Sequence, residues 1–431
     1  MKQLKKWAVP EKASRITSLV FLCTAVLLCT GCSVKNEKHI IVWTNIPEFA
    51  SYIELYNSTH DDEKALLVYK ENPSKALSAL NGETPPDVVI GPWLRTEKTS
   101  RRFRPLDTIF DREHIPSSIF YTQLLSAGQV KRTQYLLPVS FNLPAVIFST
   151  DNQELVDDNY MLSLEQIRKT GAAYNKQNDS GLYTRIGFTP QSSSNFLYFA
   201  AKTTGARFRE SKNSFTWNAE GLADSITYLR NWTKEANTSS KIEKDFIYKY
   251  LYTPAYKQVT SGRTLFAFTT SDVLFHLSSE QTAQIDYRWI YQDKKIPLED
   301  SLVMLGIPQK SKHPTQASDF IAWFLNADTQ HAILEHKAKM NLDTDRFGIA
   351  GGFSSLKEVN EHVLPLYYTM LLSNTPPAEM LSVPEKLPAG WADMKEQVVI
   401  PYLTEETGNS GSKPGEPLND RLSEWLKQNY N

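Results

Sequence analysis

Beyond residue 32, this chain of 431 residues has no cysteine. Its three cysteines, Cys23, Cys29 and Cys32, all fall in the opening segment. No disulfide can cross-link the long remainder, so its stability must come from burial of apolar surface. Charge of one sign is also lacking: 47 Lys and Arg face 48 Asp and Glu, a net charge of −1. That excludes the broad basic field on which nucleic-acid binding depends. After Cys32 no apolar run is long enough to span a bilayer as a helix. Common enzyme motifs are missing: no G-x-S-x-G, H-E-x-x-H, Walker-type phosphate loop or G-x-G-x-x-G occurs. His331 and His336 stand five apart and do not share a helix face for a metal. Asn341, Asp343 and Asp345 open like a calcium loop, but Arg346 stands where glycine is needed and Gly352 where the bidentate glutamate belongs. No catalytic residue, metal or cofactor is expected.

What is present begins at the N-terminus. Lys2, Lys5, Lys6, Lys12 and Arg15 precede an apolar stretch from Leu19 to Leu28, then Thr30 and Gly31. A basic region, a short apolar region and small residues make a secretory signal. The run Leu27-Leu28-Cys29-Thr30-Gly31-Cys32 resembles the lipobox of bacterial lipoproteins, with Cys29 where leucine is usual. The resemblance implies that residues 1–31 are removed and that Cys32 is acylated as the new N-terminus. Residues 32–38 then form a tether, and the protein works outside the cytoplasm on a membrane-held lipid anchor. Removal of 1–31 leaves 42 basic and 47 acidic side chains, a net charge of −5. The remaining length suits two or three domains at ~150 residues each.

His39 to Trp43 is a β-branched apolar run, read as a buried strand. Phe49, Tyr52, Ile53 and Tyr56 then recur at helical spacing. Leu66 to Tyr69 reads as a second strand, Lys75 to Leu80 as a short helix and Asp87 to Ile90 as a third strand. This alternation is the signature of a parallel α/β sheet. An extended segment, Gln134 to Ser149, is interrupted by Pro138 and Pro144. Further on, Leu222, Ile226 and Leu229 mark a helix with Asn218 as its N-cap. Thr264–Thr269 and Leu302–Pro308 read as strands, and Thr315–Asn326 as a helix. Thr404 to Pro417 is rich in Gly, Pro, Ser and Glu and reads as a loop before a closing amphipathic helix.

Taken in order, these landmarks resemble the family 1 extracellular solute-binding proteins. The resemblance is carried by HIIVWTNIPEFASYIELYN, PPDVVIGP, RPLD, YLLPVSFNLPAVIFSTD, SGRTLFAFTTSD and GIPQKSKHPTQASDFIAWFLN. Ser149-Thr150 replaces the family's Asn-Lys, and Leu265-Phe266-Ala267 its Ala-Met. The implied fold is an α/β, two-lobed clamshell like that of periplasmic binding proteins, with chain crossovers between lobes. The first lobe holds 39–139 plus 291–354, the second 140–290 plus 355–431. The ligand lies between them, at strand C-termini, and the lobes close about a hinge near Pro138–Pro144.

Candidate ligand-binding residues follow. Trp43 and Asn45 end the first strand. The indole can stack on a sugar ring and the amide can meet hydroxyls; the competing readings are core and helix cap. Trp93 follows the third strand, with core again the competitor. Phe141 and Asn142 lie at the crossover, where hinge packing is the alternative. Gln191 and Asn195 bracket a run of serines ahead of Phe196, Tyr198 and Phe199; the alternative is a solvated helix start capped by Ser193 or Ser194. Thr270 and Asp272 end a strand in the second lobe, with Asp272 as ligand contact or cap. Phe353 closes a Gly-Gly-Phe turn that resembles the family's late ligand-facing loop. The neutral groups of the 191–195 run beside those aromatics suit a neutral polyol. The expected function is a lipid-anchored receptor that captures a small solute, most simply a carbohydrate, and delivers it to the permease of an ABC importer. The alternatives are a peptide or polyamine binder, or a surface interaction lipoprotein that keeps the fold.

Overall fold

The β-branched run forms strand β1 (Lys38–Thr44), with Ile40 and Val42 wholly buried. The computed structural model describes residues 38–80, 82–112, 115–156, 160–212, 214–340, 346–408 and 415–430. The signal segment, Cys32, most of the tether and the calcium-like 341–345 run lie outside the described residues. Helix α1 (Phe49–Thr59) turns Phe49, Tyr52, Ile53 and Tyr56 inward, as their spacing predicts. Strands β2 (Glu63–Tyr69) and β3 (Val88–Gly91) flank β1, both parallel to it. β3 is buried along its whole length, which suits a sheet covered on both faces. Asp87, just ahead of β3, is structural. Its Oδ2 accepts from Ile41 N at 3.0 Å, and its Oδ1 from Ser311 Oγ, Lys312 N and His313 N at 2.8, 3.1 and 3.0 Å.

The extended crossover segment is two strands. β4 (Leu137–Phe141) and β5 (Pro144–Ser149) are separated by Asn142 and Leu143 and join different sheets. Strands β6 (Met161–Ser163), β7 (Ala267–Thr270) and β8 (Ile285–Tyr291) complete the second sheet, in the order β7–β5–β8–β6. The chain then returns. β9 (Val303–Gly306) enters the first sheet antiparallel to β3 and β4, and β10 (Phe353–Ser354) adds beside β4. The first sheet runs β10–β4–β9–β3–β1–β2.

The period-two alternation of strands divides the second sheet between two cores. Ala145 and Ile147 of β5, with Tyr287 and Trp289 of β8, join the core that also holds β1, β3 and β4. Val146, Phe148 and Ile290 face a second core roofed by helices α2 (Ser194–Ala201) and α3 (Ala219–Asn237).

Some expectations are corrected. Asn218 stands at the N-cap position of α3, but its side chain makes no cap bond. The stretch from Thr404 is helical through Gly408, in helix α4 (Ile400–Gly408), and 409–414 lie outside the described residues. Burial overrides composition there: Leu403 is in the core, and Glu406 takes hydrogen bonds from Arg230 Nε and Nη2 at 2.7 and 2.8 Å. After residue 354 the chain does not pass directly to the second core. Val359, Val363, Leu364 and Leu371 pack into the first. Asn374 O, in turn, accepts from Tyr287 Oη and Trp289 Nε1 of β8, both at 3.1 Å.

Candidate functional site

Asn142 occupies the step between the sheets, and its groups knot three segments. Its Nδ2 donates to Gly351 O at 2.8 Å, its Oδ1 accepts from Ser271 Oγ at 2.6 Å, and its carbonyl accepts from Glu299 N at 2.9 Å. The expected ligand contact is thus engaged in holding the hinge. The Gly351 loop it grips is unusual: Gly348, Ala350 and Gly351 have φ of 61°, 49° and 77°. Ala350, an unfavourable residue there, is held by its N–H bonding to Tyr52 Oη at 3.1 Å and by Ser140 Oγ donating to its carbonyl at 3.2 Å. A Cβ on Gly352 would meet Phe141 O at 2.6 Å, so only glycine allows this approach. Strain held in place by its surroundings is a mark of functional loops.

Glu48 faces this loop. It stands at the N-cap position of α1 but does not cap the helix; its Oε1 lies 3.9 Å from where a Cβ on Gly351 would be. Its side chain is 4% exposed, and neither carboxylate oxygen accepts a hydrogen bond. Arg346 Nε stands 3.7 Å away, on a side chain that is 61% exposed. Three residues earlier, Asn45 Nδ2 donates to Glu71 O at 3.3 Å, while its Oδ1 is buried and unpartnered. Asp272, next to Ser271, also has a buried, unpartnered Oδ1. Buried acceptors left open are uncommon in folded proteins.

Past Glu299 the chain buries a charge cluster. Asp300 accepts from Tyr198 Oη, from Trp391 Nε1 at 3.0 Å and from Lys202 Nζ at 2.9 Å. Burial alone would raise the Asp300 carboxyl, but Lys202 and the Tyr198 hydrogen bond hold it below its ordinary value. Burial works against the Lys202 ammonium; Asp300 and Glu299 outweigh it and hold its pKa up. The Glu299 carboxyl is pushed up by burial, opposed by Lys202 and Lys395 and reinforced by Asp300 and Asp272. A cavity of ≈ 300 Å³ opens beside Lys202 and Asp300, with Arg207 and Phe208 on its wall.

Bonds also cross from the first sheet's loops to the far side. Asn72 Nδ2 donates to Ala389 O at 2.8 Å, Lys75 pairs with Asp393 at 2.9 Å, and Arg95 Nη2 donates to Pro384 O at 3.1 Å. Trp93, in the left-handed region at φ 63°, is half-buried and packs against the second core.

The sequence candidates therefore separate. Asn142 and the Ser271–Asp272 turn meet at the step between the sheets, Asn45 lies by Gly91 at the end of β3, and Trp93 reaches from there to the second core. Thr270 closes β7 just before Ser271 and is half-buried. Trp43 is buried in the first core, with Lys70 Nζ 4.5 Å from its ring centre. Phe141 and Phe353 stack on each other at 5.6 Å, both in that core. Gln191 Nε2 donates to Thr407 Oγ1 at 2.7 Å, at a junction of helices in the second core. Asn195 is exposed in the first turn of α2, which Ser193 caps. Sequence reasoning missed Glu48, Arg346, Glu299 and Asp300. An acid at a helix start reads as a dipole complement, and nothing local marks Glu299 and Asp300 as part of a hinge.

Two sheets are joined at a polar step, with Asn142 bonded to the Gly351 loop, Ser271 and Glu299. The profile of the bacterial extracellular solute-binding protein family matches residues 67–339, and the chain belongs to that family. Its two-lobed fold is shared with MalE, a sugar-binding protein of Xanthomonas citri, at TM-score 0.64 and 11% identity over 91% of this chain and 96% of that one. It is similar to CpMnBP1 with mannobiose bound, at TM-score 0.57 and 16% identity over 90% and 100% of the two chains. A cyclo/maltodextrin-binding protein complexed with maltotetraose gives TM-score 0.59 and 13% identity over 93% and 100%. No curated protein matches the chain by sequence.

Proposed function

We propose that this extracellular solute-binding protein is a carbohydrate receptor. It is held to the membrane by lipid at Cys32 and hands its cargo to the permease of an ABC importer. It does no chemistry on the cargo. The observation that carries the reading is the polar knot at Asn142 between the two sheets, which binds the Gly351 loop and Ser271, with Glu48 facing that loop and Asp272 next to Ser271 as buried, open acceptors. Sugar hydroxyls are donors of the right kind, and an indole face suits a pyranose ring. The fold neighbours that bind mannobiose and maltotetraose support it. The proposed lobes are 39–139 plus 291–354 and 140–290 plus 355–431, with 355–374 packed against both sheets. Closure about Asn142 is the state the permease reads.

A polyamine is the second reading, favoured by the two carboxylates among these acceptors. Thermal unfolding of Ser33–Asn431 against neutral oligosaccharides, amino acids, peptides and polyamines separates them. A ligand at 100 times its Kd adds about 2.7 kcal/mol of stability. A rise with an oligosaccharide is the expected result. A rise with polyamines alone replaces the cargo, and silence across all saccharides sinks the carbohydrate reading.

A further inference from the structure

We propose that the turn between the helices Ser240–Lys249 and Ala255–Thr260 is a contact knob that rests on a bilayer surface carrying anionic lipid. The inference rests on the lipid anchor at Cys32 and adds a second point of contact to it.

Surface turns are mostly polar, and this one is not. Tyr248, Leu251 and Tyr252 are 79%, 55% and 96% exposed. Such residues scattered singly are ordinary, but these three lie within five positions on one turn. Their exposure does not come from slack in the chain. Leu251 N donates to Tyr248 O at 3.3 Å and Thr253 N to Tyr250 O at 2.8 Å. Gln258 Nε2, from the following helix, donates to Thr253 O at 2.8 Å. Tyr250 is the fixed base of the knob. Its ring meets that of buried Phe246 edge-on at 5.0 Å, and Lys249 Nζ and the Arg263 guanidinium each stand 5.4 Å from its centre.

Charge around the knob indicates what it rests on. Lys241, Lys249, Lys257 and Arg263 are exposed, and none is ion-paired among the described residues. Residues 240–263 hold two acids, Glu243, which is buried, and Asp245. The stretch is therefore a basic surface on a chain whose net charge beyond residue 31 is negative. Lysine and arginine near anionic headgroups draw a protein to a membrane. Tyrosine suits the headgroup level, with its ring in apolar surroundings and its hydroxyl wet, and Leu251 can reach below it. Three side chains on a convex tip fall short of the roughly 800 Å² per side that a stable protein partner covers, whereas a bilayer needs no matching surface. The tether from Cys32 to the start of β1 at Lys38 spans at most about 20 Å, so the body always lies close to the lipid surface.

The test is flotation of lipid-free Ser33–Asn431 with vesicles of phosphatidylcholine alone or with about one third phosphatidylglycerol. The expected result is binding to the anionic vesicles that is lost at about 0.5 M salt, and none to the neutral ones. Leu251→Ser combined with Tyr252→Ser should weaken binding about tenfold, and Lys249→Gln about fivefold. All three positions are exposed, so the variants should keep the wild-type unfolding midpoint and the wild-type response to saccharides. No binding to anionic vesicles overturns the inference, and that is the outcome if the turn meets only the permease. Equal binding to neutral vesicles overturns it too, as does binding that survives the paired serine variant. These outcomes leave the anchor untouched, because the protein tested carries no lipid. The anchor has its own check in the mass of the Cys32 peptide from membranes. An unacylated Cys32 overturns the anchor and, with it, the role of the knob as a second contact.

Discussion

Asp87 shows how one side chain holds two parts of the fold in register. Its carboxylate takes hydrogen bonds from the backbone of β1, the hydroxyl of Ser311 and two amides beyond it. Asp87→Ala leaves those donors buried and open, and we expect it to lower stability by about 3 kcal/mol, read as a drop in urea midpoint at unchanged slope. The loss should fall on the fold and leave ligand selectivity alone. Glu48 is the opposite kind of acid: it pairs with Arg346 Nε at 3.7 Å but accepts no hydrogen bond. From sequence the two look alike, each an acid next to an apolar run. What separates them is which amides the tertiary fold brings near. The aromatics pose the same problem. Trp43, Phe141 and Trp93 all follow or lie in apolar segments, and only the fold puts the first two in the core and leaves the third half-buried beside the hinge.

At the scale of elements, the first strand and helix were legible because two periodicities succeed each other cleanly. The break at Asn142 was foreshadowed only by Pro138 and Pro144, and it falls between them. Helix α4 was hidden by polar composition and declares itself through burial of Leu403 and Thr407. Near it, Glu243 is wholly buried, and its Oε1 accepts from Asn237 Nδ2 at 2.6 Å. Burial pushes its carboxyl from an ordinary 4.5 to about 7, against the hydrogen bond from Asn237. The unfolded chain therefore gives up this proton at lower pH than the folded one. The contribution of this carboxyl to stability is complete below pH 4.5 and is lost as pH climbs to about 7, roughly 3 kcal/mol over the window. Glu243→Gln should flatten that decline. Chemical denaturation at pH 5, 6 and 7 checks it, and an equally steep decline in the variant would refute the assignment.

The whole molecule was legible as two α/β lobes, because strand–helix alternation and the order of motifs reach across the chain. The site was legible only in part, since Asn142, Ser271, Glu299 and Gly351 are distant in sequence and meet only in the fold. One feature of the architecture carries further. The faces of the second sheet are split: Ala145, Ile147, Tyr287 and Trp289 lie in the core of the first lobe, and Val146, Phe148 and Ile290 in that of the second. Neither lobe can melt without exposing part of the other's interior. Scanning calorimetry should therefore record one endotherm, with van't Hoff and calorimetric enthalpies in agreement. A fragment cut at the hinge should behave as a sticky, partly collapsed chain rather than as half a receptor.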